Sequence, residues 1–482
     1  MASLNYDEAA HLLRRAGFGG TPDEIEALAS KGREGAVDYL LNTAQINNQP
    51  MEDLLRASFD FSDLTDNAKF NNAEIRRWWF TRMVATQRQF EEKMTLFWHN
   101  HFATASSKVQ DIYLYIQNLK LRQNALSRFD DILLQVAQDP AMLIWLDGVT
   151  NALGRPNENF GRELQELFTM GINDVVTGEA NYTENDVKEI ARAFTGWNFQ
   201  RAAGSQYGFT FRLVANQHDN GAKTIYAGTP YQVSGNLSGE DVITVITNRA
   251  ATARYLTWKL WNFFAYPLTT SSADKATVDK FSKVYLNNNH SIKELVRAIF
   301  TSDEFFSERA IFSLIKQPAE LVVGAVRMLG ATYQPGTTVN DPPRTSNALA
   351  NGARNMGQDL FNPPDVAGWD FNLGWVNTAS MLERFNYTNQ MVTNRNPANP
   401  GVFVTTDQLR KNVKGNPKKT VNAFLSALNL PTTKALRNPL ISYLTTGDTG
   451  QPIAYATDDA YVDKKIRGLV HQIMCLPEFQ LN

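Results

Sequence analysis

Three of the six histidines have polar neighbours that could take part in chemistry. His99 and His101 close an apolar stretch with helical spacing, and His218 is followed by Asp219. Imidazole and carboxylate groups bind zinc, manganese or iron without sulfur. Residues two apart on a regular helix point about 200° apart, so one of His99 and His101 is the better ligand unless the helix ends there. The alternative is that one histidine caps the helix and the other bonds a buried neighbour.

The segment His218-Asp219-Asn220-Gly221 is typical of a turn, and turns present side chains from a rigid scaffold. His218 and Asp219 are therefore candidate metal ligands, or a ligand and the carboxylate that orients it. In the alternative, Asp219 hydrogen-bonds its own backbone within the turn. No phosphate-binding loop or dinucleotide-binding glycine motif occurs, which predicts no nucleotide cofactor.

Glu163 is the favoured catalytic carboxylate and a candidate metal ligand. On the helix predicted over 157–170, it falls at the flank of an apolar stripe. A carboxylate in such a setting must be paired, bound to metal or protonated, because burying a bare charge is costly. A buried ion pair with Arg192 is the alternative.

The opposite face of this predicted helix carries Glu158, Arg162 and Glu166. The two glutamates are further catalytic candidates, and Arg162 is a candidate substrate-binding residue. The alternative is a solvated ladder of ion pairs, each worth a few tenths of a kcal/mol.

Tryptophans near these segments could bind a substrate. Trp98, Trp369 and Trp375 are the candidates, because aromatic rings beside carboxylates suit the stacking of sugar rings. Asp147, Glu158 and Glu163 could then supply an acid and a base. The alternative is that the tryptophans anchor helix packing.

Helix-start signals recur along the chain and predict a mainly α fold, a large multi-helix domain. Thr21 with Glu24 forms a capping pattern, as do three later pairs: Thr183 with Asp186, Ser238 with Asp241, and Ser291 with Glu294. The spacing also predicts one long helix over about 73–102.

A small β-hairpin is predicted near 208–233, where apolar and polar residues alternate, within an insertion over 201–236. The segment 331–377 is rich in Pro, Gly and Asn but also in large aromatics, which predicts a long ordered loop. We expect one helical domain over 1–395 and a C-terminal helical extension over 396–482 packed on it.

The amino-acid composition excludes several classes of function and of binding site. The 482 residues carry a formal net charge of −2, which offers no general attraction for nucleic acid. The single cysteine, Cys475, excludes an intrachain disulfide and a multi-cysteine metal site. The sequence contains no apolar run of about 20 residues, so it predicts no membrane span. The start of the chain has no leader pattern, which predicts a cytoplasmic protein.

The chain resembles the bacterial family catalogued as domain of unknown function 1800 over roughly residues 5–395. The motifs that carry the resemblance are AAHLLRRAGFG at 9–19, KMTLFWHNHFA at 93–103, DPAMLIWLD at 139–147, PNENFGRELQELFTMG at 156–171, ARAFTGW at 191–197, HDNGAKT at 218–224 and PPDVAGW at 363–369. The resemblance implies a largely helical fold, frequent export, and frequent encoding beside a protein resembling a sulfatase or alkaline phosphatase. Export is thus the alternative to a cytoplasmic location.

Three functional hypotheses follow. The first is a metal-dependent hydrolase in which a histidine near position 100, Glu163 and the 218–219 turn hold a divalent zinc, manganese or iron ion that activates water. The second is a carboxylate-based carbohydrate-active enzyme with an aromatic cleft. The third is a non-enzymatic subunit that binds the sulfatase- or phosphatase-like neighbour or assembles with copies of itself.

Overall fold

The computed structural model describes residues 3–64, 66–202, 204–332, 344–394 and 402–482. Helices make up most of this part of the chain, so the mainly α prediction is confirmed. The predicted domain boundary at 395 lies outside the described residues. The α-helices are α1 (Tyr6–Ala16), α2 (Pro22–Ala29), α3 (Gly32–Leu41), α4 (Gln49–Ser58), α5 (Asn72–Ala85), α6 (Gln89–His101), α7 (Asp111–Gln123), α8 (Phe129–Ala137), α9 (Pro140–Trp145), α10 (Asn159–Glu166), α11 (Glu184–Ala193), α12 (Gly239–Thr247), α13 (Ala250–Phe264), α14 (Ser272–Asn287), α15 (Ile292–Thr301), α16 (Pro318–Leu329), α17 (Arg344–Asn355), α18 (Thr378–Thr393), α19 (Thr406–Arg410), α20 (Pro417–Ala427), α21 (Lys434–Thr445), α22 (Asp459–Tyr461) and α23 (Arg467–Cys475).

The β structure of the described residues consists of two small antiparallel sheets. Strand β1 (Trp197–Arg201) pairs with β2 (Phe209–Leu213), and β3 (Lys223–Ile225) pairs with β4 (Val233–Gly235). The predicted hairpin region therefore does hold strands. Its two halves lie in separate sheets, because the partner of β2 comes from the residues before the predicted interval.

Local capping chemistry starts the helices where the sequence predicts. Thr21 accepts from the backbone N–H of Glu24, and the Glu24 carboxylate accepts in return from the Thr21 N–H. The same reciprocal pair starts α11 and α12, at Thr183 and Ser238. At α15 the Ser291 side chain caps the Glu294 N–H.

The single helix predicted over 73–102 is wrong, because the structure divides it into α5 and α6. Thr86, just after α5, has extended backbone angles. The Asn48 side-chain oxygen accepts hydrogen bonds from the Thr86 hydroxyl and the Gln87 N–H, and the Thr86 hydroxyl accepts one from the Arg88 N–H. A distant asparagine thus stabilises the break, which helical periodicity cannot reveal.

Helix α6 lies between the two apolar clusters of the core. Phe97 and Trp98 pack in a cluster formed mainly by residues before 311, and Leu96 packs in a second cluster. That second cluster also contains Val421 and Phe424 from the C-terminal part of the chain. The C-terminal helices therefore share their core with helices from the first half of the chain.

A buried carboxylate fixes α6 against its neighbours. Glu92 accepts hydrogen bonds from Trp79 at 2.8 Å, Arg82 at 2.9 Å and Arg122 at 2.6 Å. Burial alone would raise the pKa of Glu92, but the Arg122 and Arg82 charges outweigh it and hold the pKa below its ordinary value. The end of α6, where His99 and His101 lie, is thereby held in place.

No helix within the described ranges is long and apolar enough to cross a membrane.

Candidate active site

The two histidines at the end of α6 enter different surroundings. His99 is buried between the rings of Trp79, at a centroid distance of 5.0 Å, and Trp369, at 5.6 Å. Its Nε2 accepts a hydrogen bond of 3.0 Å from the Phe361 N–H. Burial lowers the pKa of His99 to about 3, so the ring is neutral at physiological pH.

His101 is the last residue of α6 and is also buried. Its Nε2 lies 3.0 Å from the carbonyl oxygen of Phe168, so Nε2 carries the hydrogen of this bond. Burial, together with the positive charge of Lys259, places the pKa of His101 well below its ordinary value. The alternative of a buried histidine that bonds a neighbour fits both rings.

The turn at 218–219 is fixed by its own hydrogen bonds. His218 Nδ1 lies 2.8 Å from the Thr195 carbonyl oxygen. The Asp219 carboxylate accepts from the Gly221 N–H at 2.8 Å and from Arg192 at 2.8 Å. The bond to Gly221 is the one that the turn alternative predicts, and the Arg192 ion pair adds to it.

Within the described ranges, no three His, Cys, Asp or Glu side chains are grouped so that they could hold a metal ion. The predicted ligands His99, His101, His218 and Asp219 each bond a local partner instead. The side-chain arrangement therefore provides no assembled three-ligand site, and the divalent metal stays a prediction of the first hypothesis alone.

Glu163 differs from these groups because it has no partner among the described residues. In the described part of the chain its half-buried carboxylate makes no hydrogen bond or ion pair, and its predicted rival partner, Arg192, binds Glu189 and Asp219. Burial and then the charge of Glu166 raise the pKa of Glu163, against a smaller opposing effect of Arg162. Of the three states that the sequence allows, pairing within the described chain is thus removed.

The other charged residues of this helix divide into two groups. Arg162 bonds Glu184 at 2.7 Å and Glu158 at 3.4 Å on a partly exposed surface, so these residues form the solvated ion cluster of the alternative interpretation. Glu166 is not in that cluster. It accepts a hydrogen bond of 3.1 Å from the Tyr182 hydroxyl and stays beside Glu163 on the same helix.

Helix α10 lies close to α11 because Gly161 has no side chain. A Cβ atom at this position would lie 3.1 Å from the Val187 carbonyl oxygen and 3.2 Å from the Ala191 nitrogen. The contact buries Phe160 and Leu164 and leaves Glu163 at the edge of the buried face.

The three predicted substrate-binding tryptophans are buried in this structure. Trp98 is fully buried and donates its indole N–H to the Ala125 carbonyl oxygen at 2.9 Å. Trp369 and Trp375 expose only 6% and 5% of their surface. They pack as anchors, which is the alternative that the sequence left open.

The loop that carries Trp369 is attached to the end of α6. The Asn100 side-chain oxygen accepts from the Trp369 N–H at 2.7 Å, and its amide donates to the Trp369 carbonyl oxygen at 3.2 Å. Gly368 has a φ of +85°, and a Cβ atom there would lie 2.2 Å from the Asn100 side-chain oxygen. The loop therefore reaches α6 only because residue 368 is glycine.

Two residues beyond Trp369, Phe371 completes a partly exposed aromatic group with Trp258 and Tyr255 of α13. The Trp258 ring lies 6.1 Å from that of Tyr255 and 6.2 Å from that of Phe371. The Lys259 ammonium lies near the faces of Tyr255, at 5.8 Å, and Phe371, at 5.7 Å. Phe371, Trp258 and Lys259 are all half-buried.

Tyr255 joins this aromatic group to the C-terminal end of α10. Its hydroxyl donates to the Leu167 carbonyl oxygen at 3.1 Å. Burial and the charge of Glu166 both raise the pKa of Tyr255. We name this surface the acid–aromatic face; its members are Glu163, Glu166, Tyr182, Tyr255, Trp258, Lys259 and Phe371.

Sequence reasoning missed the α13 residues of the acid–aromatic face. Tyr255, Trp258 and Lys259 lie in an ordinary helical pattern with large apolar neighbours, which reads as core packing. The one available signal is Lys259 itself, a charge between Trp258 and Leu260, and its surroundings become visible only when α6, α10 and the loop are in place.

The fold and this face define a mainly helical protein with a carboxylate pair beside partly exposed rings. The family model described as "Protein of unknown function (DUF1800)" matches residues 11–481. The chain belongs to this family, and the match extends beyond residue 395, where the resemblance of the individual motifs ended. Neither the curated proteins nor the solved structures contain a match.

Proposed function

We propose that the protein is a carbohydrate-active hydrolase in which Glu163 and Glu166 supply the acid and the base. The observation that carries the proposal is the half-buried Glu163 carboxylate, which lacks a partner in the described chain and lies one helical turn from Glu166. A perturbed carboxylate beside a second one is typical of acid–base sites. This is the second of the sequence hypotheses, with different rings as the binding surface.

The pair can divide the two roles because the negative charge of Glu166 disfavours ionisation of Glu163. Glu163 is the proton donor, since burial and the charge of Glu166 raise its pKa. It donates that proton to the glycosidic oxygen as the bond from this oxygen to the sugar carbon breaks. Glu166, hydrogen-bonded by Tyr182, takes a proton from the water whose oxygen bonds to that carbon.

The rings of Trp258 and Phe371 provide the surface on which a sugar stacks. They are partly exposed, and Tyr255 beside Trp258 bonds the carbonyl oxygen of Leu167, the residue that follows Glu166. Trp369 and Trp375 do not contact the sugar in this arrangement. They pack the loop that carries Phe371.

The proposal is tested by Glu163→Gln, which keeps the size of the side chain and removes the transferable proton. We expect reducing-end release from a panel of polysaccharides to fall about 100-fold or more, while glycan binding persists. Glu294→Gln is the matched control: this half-buried helical glutamate pairs with Arg297 and lies outside the acid–aromatic face.

Full activity of Glu163→Gln would refute the assignment of the acid. Failure of the wild-type protein to bind any glycan of the panel would refute the substrate class.

A further inference from the structure

Lys259 has a charge that the described chain does not neutralise. The residue is half-buried, and its ammonium has no hydrogen-bond acceptor and no carboxylate within 4 Å among the described residues, only the faces of Tyr255 and Phe371. Burial lowers the pKa of Lys259 to about 8, so the side chain is still mainly protonated at pH 7. A positive charge without a partner in a half-buried site raises the free energy of the folded protein.

Two other buried lysines show how this chain normally treats such a charge. Lys93 forms an ion pair with Glu320 and donates to the Gly17 carbonyl oxygen at 3.0 Å. Lys316 donates to the Phe479 carbonyl oxygen at 2.6 Å and lies 4.2 Å from the ring of the same residue. Lys259 has the ring contacts but no acceptor within the described part of the chain.

The groups nearest Lys259 do not supply the missing negative charge. His101 is neutral, because burial, and then the charge of Lys259 itself, lower the pKa of this histidine well below its ordinary value. Tyr255 uses its hydroxyl to bond Leu167 and keeps its proton, since burial raises its pKa. Glu166 is bonded by Tyr182 and forms no ion pair with Lys259.

We propose that Lys259 binds an anionic substituent, a carboxylate or a sulfate, on the sugar that stacks on Trp258 and Phe371. The inference rests on the proposed function and names its substrate class, an acidic rather than a neutral glycan. The ring faces hold the apolar side of the sugar, and the ammonium between Tyr255 and Phe371 lies where a charged substituent at the edge of that sugar could meet it. A hydrogen bond to a charged group supports about a 10- to 100-fold preference for the anionic ligand.

The test measures binding by calorimetry at constant ionic strength, in the Glu163→Gln background so that no glycan is consumed. The probes are an oligogalacturonate, a sulfated dextran oligomer and neutral maltohexaose. We expect at least one anionic probe to bind about 10- to 100-fold more tightly than the neutral one. Lys259→Met should remove this preference, and Lys259→Arg should largely restore it.

Lys283→Met is the matched control, because this exposed lysine on α14 pairs only with Asp279 among the described residues. It removes the same charge from the molecule and should leave the preference unchanged. A second measurement follows the acetylation rate of Lys259 against pH by mass spectrometry. The bound anion should protect the amine and move its apparent pKa upward.

The outcomes separate the inference from the proposed function. Lys259-dependent binding without hydrolysis supports the inference and overturns the hydrolase. If the protein hydrolyses neutral glycans and Lys259→Met leaves this hydrolysis unchanged, the hydrolase is supported and the inference is overturned. Equal loss of binding in Lys259→Met and Lys283→Met also overturns the inference, because net charge alone would then explain it.

Discussion

Replacing Lys259 by methionine should stabilise the protein at neutral pH, which is an unusual expectation for removing a charge from a half-buried site. In the folded protein burial lowers the pKa of Lys259 from 10.5 to about 8. The unfolded chain therefore binds this proton more strongly than the folded one, and the free energy of unfolding should rise with pH between about 8 and 10.5. Below pH 8 the folded protein carries the full cost of the buried charge.

The magnitude follows from the two pKa values. At 1.36 kcal/mol for each pH unit, a lowering from 10.5 to about 8 corresponds to at most about 3 kcal/mol. The side chain is partly exposed, and solvent screening reduces this to about 2 kcal/mol. We therefore expect Lys259→Met to be more stable than the wild-type protein by about 2 kcal/mol at pH 7, and the difference to shrink towards pH 10.

Urea unfolding at several pH values between 6.5 and 10 measures this difference, because urea adds no ions that screen charge. Tyrosines and other lysines titrate in the same range, but they do so in both proteins and leave the difference unchanged. Lys283→Met, on the exposed surface, should show no such pH-dependent difference. A Lys259→Met protein that is less stable at pH 7, or whose stability difference is the same at every pH, would show that the charge already has a partner.

Two further predictions concern the loop and the metal. Gly368→Ala should lower the free energy of unfolding by more than about 2 kcal/mol, because the new Cβ would meet Asn100 and the residue would keep a strained φ of +85°. Gly178→Ala is the control for strain alone, because Gly178 has a φ of +80° and nothing within 4 Å of its Cβ position. Equal losses in the two variants would contradict the contact with Asn100. Elemental analysis of protein purified without chelator or nickel should find less than about a tenth of an equivalent of metal, because His99, His101 and His218 each bond a local partner; one equivalent that disappears in a His101→Ala variant would restore the metal hypothesis.

Much of the fold follows from local sequence signals. The capping pairs at Thr21, Thr183 and Ser238 start their helices as predicted, because a cap depends on residues three apart. The break between α5 and α6 could not be predicted in this way. It depends on Asn48, almost forty residues earlier, whose side chain bonds the turn.

The site was predictable only in part, for a related reason. Helical spacing places Glu163 at the edge of an apolar stripe, and the structure agrees. Spacing cannot say whether an arginine reaches it, and Arg192 in fact binds Asp219. Likewise, the spacing of His99 and His101 gives their relative direction but not the backbone groups that each ring meets after folding.

The buried tryptophans explain why the aromatic surface lies at Phe371 and not at Trp369. Asn100 bonds both backbone groups of Trp369, and the Trp369 ring packs beside the neutral His99, so this part of the loop is committed to the end of α6. The chain then continues for two residues before Phe371 meets Trp258. A histidine whose imidazole is kept neutral by burial can serve such packing without an ion pair. On this view the motif around His99 positions the acid–aromatic face, and the proposed acid–base chemistry is carried out by Glu163 and Glu166 on that face.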